Sequence, residues 1–211
     1  MKILVICAHP DDEAVSCGGV ISKHSKQNDE IYVCVVSEGV SAQYSEKNAI
    51  ETRREHSLKA GKILGIKKYF FHDLPDAKLD TVPQLEVNKI IESIIQKIKP
   101  EIVYTHFAKD LNKDHSIVHD STLVACRPSK TPFIKKIYAY EVFGSTLDFK
   151  PDYYVDITKF IEKKINALSE YKTETISQTR KPDTIKKLAE FRGIEVNLQF
   201  AEGFKLLREV A

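Results

Sequence analysis

The sequence predicts a Rossmann-like α/β fold: a three-layer sandwich with a mostly parallel sheet and a C-terminal helical extension. Short apolar runs with polar ends alternate with amphipathic segments, which is the pattern of strands buried on both faces and joined by helices. The chain has 211 residues. Since a domain typically takes about 100–200 residues, residues 1–211 are predicted to form a single domain.

The first half of the chain supplies the parallel part of the predicted sheet. A helix is predicted from Ala49 to Leu64, because Gly65 follows it in the position of a C-terminal cap. A later helix is stopped by Pro100. Strands that alternate with helices imply right-handed crossovers and a parallel sheet. The four strand candidates are residues 2–8, 30–37, 67–71 and 101–105, and the later helix has an apolar face of Val87, Ile91, Ile94, Ile95 and Ile98.

The second half predicts two more strands, at residues 136–141 and 153–157. A helix is expected over residues 159–172, which carry apolar side chains at helical spacing, with Thr158 as its N-cap. Residues 172–187 are polar and charged and contain a proline, so we expect an exposed connection whose lysines face solvent.

The composition excludes several classes of protein. Lys and Arg number 32 and Asp and Glu number 30, so the net charge of +2 gives no reason to expect a nucleic-acid partner. No run approaches the roughly 18 consecutive apolar residues of a transmembrane helix. The apolar run at residues 3–8 is too short for a signal peptide, and the four cysteines form no CxxC pair. We therefore expect reduced thiols and a cytoplasmic protein, with the C-terminal helical segment as a candidate interface for a homo-oligomer.

Histidines and acids follow two of the predicted strands. The run HPDDE occupies residues 9–13 after the first strand, and His106 and the run DLNKDH at 110–115 follow the fourth. In a doubly wound sheet, ligands bind beyond the carboxyl ends of the strands. Imidazole nitrogens and carboxylate oxygens from two such loops suit a zinc or iron site with a position left open for water.

A simpler interpretation of the acids is helix capping. Asp11, Asp12 and Glu13 stand at the start of a predicted helix, and Asp114 at the start of another, where acids complement the helix dipole. Capping, however, requires neither a histidine before the acids nor the same chemistry in both loops. The combination therefore favours a metal site.

The run AHPDDE at residues 8–13 resembles the signature of the PIG-L/LmbE-like deacetylases, metal-dependent enzymes that remove an N-acetyl group from glucosamine-containing substrates. The resemblance extends to residues 53–55, 63–65, 110–115 and 200–204 and so spans most of the chain. It implies a small-molecule substrate, an N-acylated sugar or sugar conjugate, and Zn²⁺ or Fe²⁺ as cofactor. The roles it implies are metal ligation by His9, Asp12 and His115, general-base catalysis by Asp11, orientation of neighbouring groups by Asp114, and oxyanion stabilisation by Arg53 and Asn112.

In the implied mechanism, a divalent cation lowers the pKa of its bound water toward about 7 and polarises the amide carbonyl, while Asp11 accepts the water's proton. Asn112 stands where the family often has a histidine. An asparagine amide donates a hydrogen bond to an oxyanion but does not shuttle a proton. Either Asp11 returns the proton to the leaving amine, or another group such as His106 helps.

Other interpretations of the same residues stay open. Two histidines and one carboxylate also form the facial triad of non-haem iron oxygenases. A non-enzymatic Rossmann-like nucleotide- or phosphate-binding module, or a receiver-type module, is a further alternative, although no GxGxxG follows the first strand. Arg53 is equally placed for a surface ion pair. His119, four residues after His115, is expected to be packed or exposed, and substrate selectivity is expected from residues 37–47 and 74–80, including Asp76.

Overall fold

A computed structural model describes residues 1–40, 48–174 and 177–210. Its seven-stranded sheet has the order β3-β2-β1-β4-β5-β7-β6. Strand β7 runs antiparallel to both of its neighbours, and the other pairs are parallel. The strands are β1 (Lys2–Cys7), β2 (Glu30–Ser37), β3 (Lys68–Leu74), β4 (Ile102–His106), β5 (Lys136–Tyr140), β6 (Tyr153–Asp156) and β7 (Ala201–Glu209). The helices of the described residues are α1 (Asp12–Lys26), α2 (Ala49–Leu64), α3 (Gln84–Ile98), α4 (Lys113–Ala125), α5 (Ile161–Leu168) and α6 (Pro182–Ile194).

Two hydrophobic cores cover the two faces of the sheet. Alternate residues of β1 enter different cores: Ile3 and Val5 pack with residues of α1 and α2, whereas Leu4 and Ile6 pack with residues of α3 and α4. A strand buried on both faces has no polar alternation, which explains why β1 is continuously apolar from Ile3 to Cys7. The three-layer α/β prediction is confirmed. Among the described residues, no helix combines the length and apolar character that a bilayer crossing requires.

The first half of the chain follows the predicted pattern closely. Helix α2 has the predicted bounds, and Gly65 after it adopts φ 85°, the left-handed conformation of a C-terminal cap. Helix α3 ends two residues before Pro100. All four cysteines are buried free thiols, as expected of a reduced protein.

The C-terminal region differs from the prediction in three respects. Residues 172–187 are not wholly an exposed connection, because α6 begins at Pro182, a favoured residue for the first helical turn. The N-cap of α5 is Phe160 rather than Thr158. The predicted helical extension ends in a strand: β7 follows α6 and lies between β5 and β6 in the sheet. Polar residues inside its sequence, AEGFKLLRE, conceal this strand from a search for apolar runs.

A buried ion pair ties the C-terminal region to α1. Lys164 Nζ lies 2.5 Å from Glu202 Oε1 and donates to the Val15 carbonyl at 2.6 Å. Glu202 also accepts hydrogen bonds from the backbone N–H groups of Gly19 and Val20 in α1. The pair thus holds helix α5 and strand β7 against the helix that begins at Asp12.

Removal of one member of this pair should destabilise the protein. Lys164→Met leaves the Glu202 carboxylate buried without its cation, which typically costs about 3–5 kcal/mol. The double variant Lys164→Met/Glu202→Gln removes both charges and should recover much of that loss. Urea unfolding followed by circular dichroism measures both. A single variant as stable as the wild type would show that the pair does not support the fold.

Candidate metal centre

The turn after β1 places the side chains of His9, Asp11 and Asp12 at the carboxyl end of the sheet. Asp11 has φ 125°, a positive value that non-glycine residues rarely adopt. Its carbonyl accepts the N–H groups of Ala14 and Val15, while its side chain makes no capping hydrogen bond. Asp12 Oδ2 instead accepts the N–H of His9 at 2.8 Å. Asp11 is therefore the N-cap of α1 by position, but its carboxylate does not cap the helix and makes other contacts.

The loop before α4 gives a similar result for Asp114. The N-cap of α4 is Asn112, whose Oδ1 accepts the N–H of Asp114 at 3.0 Å. The buried Asp114 carboxylate accepts the N–H groups of Ala77 and Leu79, which lie after β3. Asp114 thus does not cap α4 but joins the loop after β4 to the loop after β3.

His9, Asp12 and His115 converge at one buried point. His115 Nε2 lies 3.2 Å from His9 Nδ1 and 3.8 Å from Asp12 Oδ1, and His9 Nδ1 lies 3.7 Å from Asp12 Oδ2. Donors that bind one Zn²⁺ at about 2.0–2.1 Å with tetrahedral angles lie roughly 3.3–3.4 Å apart. Asp12 Oδ1 is also buried with no hydrogen-bond partner among the described residues. The three side chains therefore fit a divalent cation.

The second nitrogen of each of these imidazoles faces a carboxylate. His9 Nε2 lies 3.1 Å from Asp76 Oδ1 and 3.2 Å from Asp114 Oδ2, and His115 Nδ1 lies 3.1 Å from Asp110 Oδ2. Metal-ligating histidines characteristically donate their other N–H to such a group, which fixes the tautomer and the ring orientation. His9, Asp76 and Asp114 are also close enough to hold an ion, but this contact pattern accounts for their proximity without one.

His106 and His119 are buried and pack next to the candidate metal ligands. His106 is fully buried and stacks on His115 with 4.1 Å between ring centroids. Burial, and then the proximity of His115, lower the pKa of His106 to about 4, so its ring is neutral near pH 7. His119 Nδ1 lies 2.7 Å from the His106 carbonyl, and His119 is packed rather than exposed.

A polar cavity of about 230 Å³ opens in front of the three candidate ligands. Arg53 is buried here and donates to the Pro10 carbonyl and to Glu174, and its Nη2 lies 3.6 Å from Asp11 Oδ1. Arg53 is therefore not a surface ion pair. Part of the predicted selectivity loop, residues 41–47, lies outside the described residues. The cavity is lined by His9, Asp11, Gly39, Arg53, Asp76, Ala77, Asn112, His115, Ser145, Glu174, Ser177 and Arg180.

Sequence reasoning missed Arg180 and Glu174, which belong to the segment predicted to face solvent. Arg180 Nε lies 2.7 Å from Asp11 Oδ2. Burial raises the pKa of Asp11, and the charges of Arg180 and Arg53 oppose this effect without cancelling it. The contact between Arg180 and Asp11 joins residues 169 positions apart, and no local pattern marks it.

Comparisons with known proteins identify the family of the chain. The family described as PIG-L, GlcNAc-PI de-N-acetylase, matches residues 4–126, more than half of the chain. The chain is 29% identical to an uncharacterized deacetylase, YaiS, of Escherichia coli over 81% of this chain and 90% of that protein. It is 24% identical to diacetylchitobiose deacetylase of Thermococcus kodakarensis over 98% of this chain and 83% of that protein. The chain belongs to the PIG-L family, and its relatives are deacetylases.

Solved structures share the whole fold. N,N'-diacetylchitobiose deacetylase from Pyrococcus horikoshii superimposes with a TM-score of 0.82 at 23% identity, covering 98% of this chain and 83% of that one. The 4-carboxy-2-hydroxymuconate hydratase of Pseudomonas putida superimposes with 0.81 at 23% identity, covering 100% and 97%. At this identity the likeness shows the fold alone, so the reaction is argued from the family and the site.

We expect protein purified without a polyhistidine tag to bind one Zn²⁺ or Fe²⁺ per chain. Asp12→Ala and His115→Ala each remove a donor and should lower the metal content several-fold. Asp11→Asn should retain the metal, because the Asp11 carboxylate contacts Arg180 and Arg53 and not the imidazoles. Elemental analysis after gel filtration measures the metal content. Metal loss in Asp11→Asn equal to that in Asp12→Ala would mean that the two aspartates have been assigned wrongly.

Proposed function

We propose that this protein is a metal-dependent deacetylase that hydrolyses the N-acetyl group of an N-acetylglucosamine-type sugar or sugar conjugate. The observation that carries the proposal is the convergence of His9, Asp12 and His115 beside a carboxylate, Asp11, that is not one of the three donors. His9, His115 and the nearby base Asp11 line one open cavity, and this arrangement meets the requirements of amide hydrolysis. Zn²⁺ is the expected ion, and Fe²⁺ fits the same donors.

When bound, the cation supplies Lewis-acid chemistry: it polarises the carbonyl and lowers the pKa of water. Asp11 accepts the proton of the attacking water as general base. Arg180 and Arg53 contact its two oxygens at 2.7 and 3.6 Å and so fix the direction of the carboxylate. The oxygen of water forms a bond to the carbonyl carbon, and the carbonyl electron pair moves to the oxygen.

Asn112 donates to the resulting oxyanion. Its Oδ1 accepts the N–H of Asp114, which fixes the orientation of the amide and leaves the Nδ2 group for the cavity that Asn112 lines. A fixed donor needs no reorganisation as charge develops. Arg53, which is already bonded to the Pro10 carbonyl and Glu174, contributes positive charge to the same cavity.

Asp11 also returns the proton to the nitrogen as the C–N bond breaks, so that acetate and a free amine leave. The other candidate, His106, is fully buried and does not line the cavity. Its Nε2 lies 3.0 Å from the Ala8 N–H and 3.2 Å from Asp12 Oδ2. These contacts hold the His106 ring against the candidate ligands and away from the cavity. We therefore assign His106 a structural role in positioning the ligands.

The cavity also fits a small, hydroxylated substrate. Its lining pairs carboxylates with arginines and adds the hydroxyls of Ser145 and Ser177. Asp76, next to His9, is placed to accept a hydrogen bond from a substrate hydroxyl while it orients the imidazole. The relatives named as deacetylases of N-acetylated sugars support this substrate class. A nucleotide-binding or receiver-type module would require neither imidazole in the cavity. Cytoplasmic location and a homo-oligomer stay predictions.

Amine release from a panel of N-acetylated amino sugars and their conjugates tests the proposal. The metal-loaded wild type should release amine and acetate in equal amounts. Asp11→Asn should lose about 10²–10⁴-fold in kcat, the usual contribution of a general base. A fully metal-loaded wild type that releases no amine from any member of the panel would contradict the proposed function.

Asn112 can be tested with a matched pair of variants. Asn112→Ala removes the oxyanion donor and should lower kcat by about 10²-fold or somewhat more. It also removes the cap of α4, at a cost of about 1 kcal/mol in stability. Asn112→Asp keeps a good cap but has no N–H to donate, so it should lose at least as much activity with little loss of stability. If both variants turn over at the wild-type rate, Asn112 does not face the reacting carbonyl.

A further inference from the structure

Asp110 is a nearly buried carboxylate whose contacts extend beyond the imidazole of His115. Its Oδ1 accepts the backbone N–H of Asn112 at 2.8 Å. Its Oδ2 accepts the hydroxyls of Thr146 at 2.7 Å and Ser145 at 3.2 Å, and lies 3.1 Å from His115 Nδ1. One side chain therefore contacts a candidate metal ligand, the backbone of the candidate oxyanion donor and two hydroxyls of another loop.

These contacts join the two loops that follow β4 and β5. The backbone of Asp110 forms an isolated antiparallel bridge with Thr146, and Leu111 N–H donates to the Ser145 carbonyl at 2.9 Å. Ser145 lines the cavity together with Asn112 and His115. The carboxylate of Asp110 thus lies where the loops after β4 and β5 meet to form this wall of the cavity.

We propose that Asp110 is a positioning residue of the metal centre, acting through the ring of His115 and the backbone of Asn112. A neutral imidazole carries one N–H, and a carboxylate next to Nδ1 favours the tautomer with hydrogen on Nδ1. The lone pair of Nε2 then faces His9 and Asp12, where a cation would lie. The same carboxylate fixes the orientation of the ring, which favours metal binding.

The effect on Asn112 is separate and rests on the proposed function. Asp110 fixes the Asn112 N–H, and Asn112 in turn caps α4 through its Oδ1. With both bonds in place, the amide is held at the cavity wall before substrate arrives. Loss of Asp110 should therefore lower kcat even when the metal site is saturated.

The direct test is the affinity of the purified apoprotein for Zn²⁺, measured by competition with a chromogenic chelator. Asp110→Ala should bind Zn²⁺ about 10–100-fold more weakly than the wild type, the usual effect of removing such an outer carboxylate. Thr146→Val, which removes a bond to Asp110 but keeps the carboxylate, should have a smaller effect. Asp120→Asn, an exposed acid in α4, is the control for loss of charge and should match the wild type.

A second measurement separates positioning from folding. Asp110→Asn keeps an oxygen acceptor for the Asn112 N–H and removes the negative charge near His115. It should therefore recover much of the kcat at saturating Zn²⁺ that Asp110→Ala loses, while its Zn²⁺ affinity stays lowered. Thermal unfolding of the apoproteins confirms that each variant is folded.

The proposal is overturned if folded Asp110→Ala and Asp110→Asn both bind Zn²⁺ within twofold of the wild type. That result does not depend on the substrate. A wild type that binds Zn²⁺ but releases no amine contradicts the proposed function and leaves the assignment of Asp110 to His115 intact.

Discussion

The burial of several carboxylates at one end of the parallel sheet is the constraint on which the site depends. A buried ionised carboxylate costs several kcal/mol unless opposite charge and hydrogen bonds compensate it. Each acid here has such partners: Asp11 faces two arginines, Asp12 faces imidazoles, and Asp114 accepts two backbone N–H groups. Burial alone would lower the pKa of His9, but the carboxylates of Asp114, Asp12 and Asp76 around its ring hold that pKa well above the usual value. A divalent cation at His9 Nδ1 would replace a proton there and take over the compensation.

The order of the strands explains why these groups meet. The crossovers place β2 and β3 on one side of β1 and β4 and β5 on the other, so the direction of winding reverses between β1 and β4. Ligand sites of doubly wound sheets lie at such a reversal. The adjacent carboxyl ends of β1 and β4 bring residues 8–13 next to residues 106–115, although about 100 positions separate them. The loops after β3 and β5 then close the sides of the cavity through Asp76 and Ser145.

Local sequence patterns were sufficient to predict the part of the site that directly follows β1 and β4. Strand β1 is a continuous apolar run, and His9 and Asp12 follow it directly, so their place at the sheet edge could be predicted. His115 follows from the same reasoning on β4. Arg180 could not be predicted in this way, because its contact with Asp11 depends on how a polar segment folds back over the cavity. Strand β7 was missed for a related reason: Glu202 inside it is buried because Lys164 and two backbone N–H groups of α1 satisfy its charge, and those partners come from distant parts of the chain.

We propose that these buried acids and imidazoles are arranged to hold one divalent cation. Anomalous X-ray diffraction at the zinc edge, from crystals of the Zn²⁺-loaded protein, tests it most directly. We expect one strong anomalous peak between His9 Nδ1, Asp12 and His115 Nε2, with His9 Nε2 still against Asp76 and Asp114. A fully loaded crystal with its zinc peak elsewhere, and no peak between these three side chains, would contradict it.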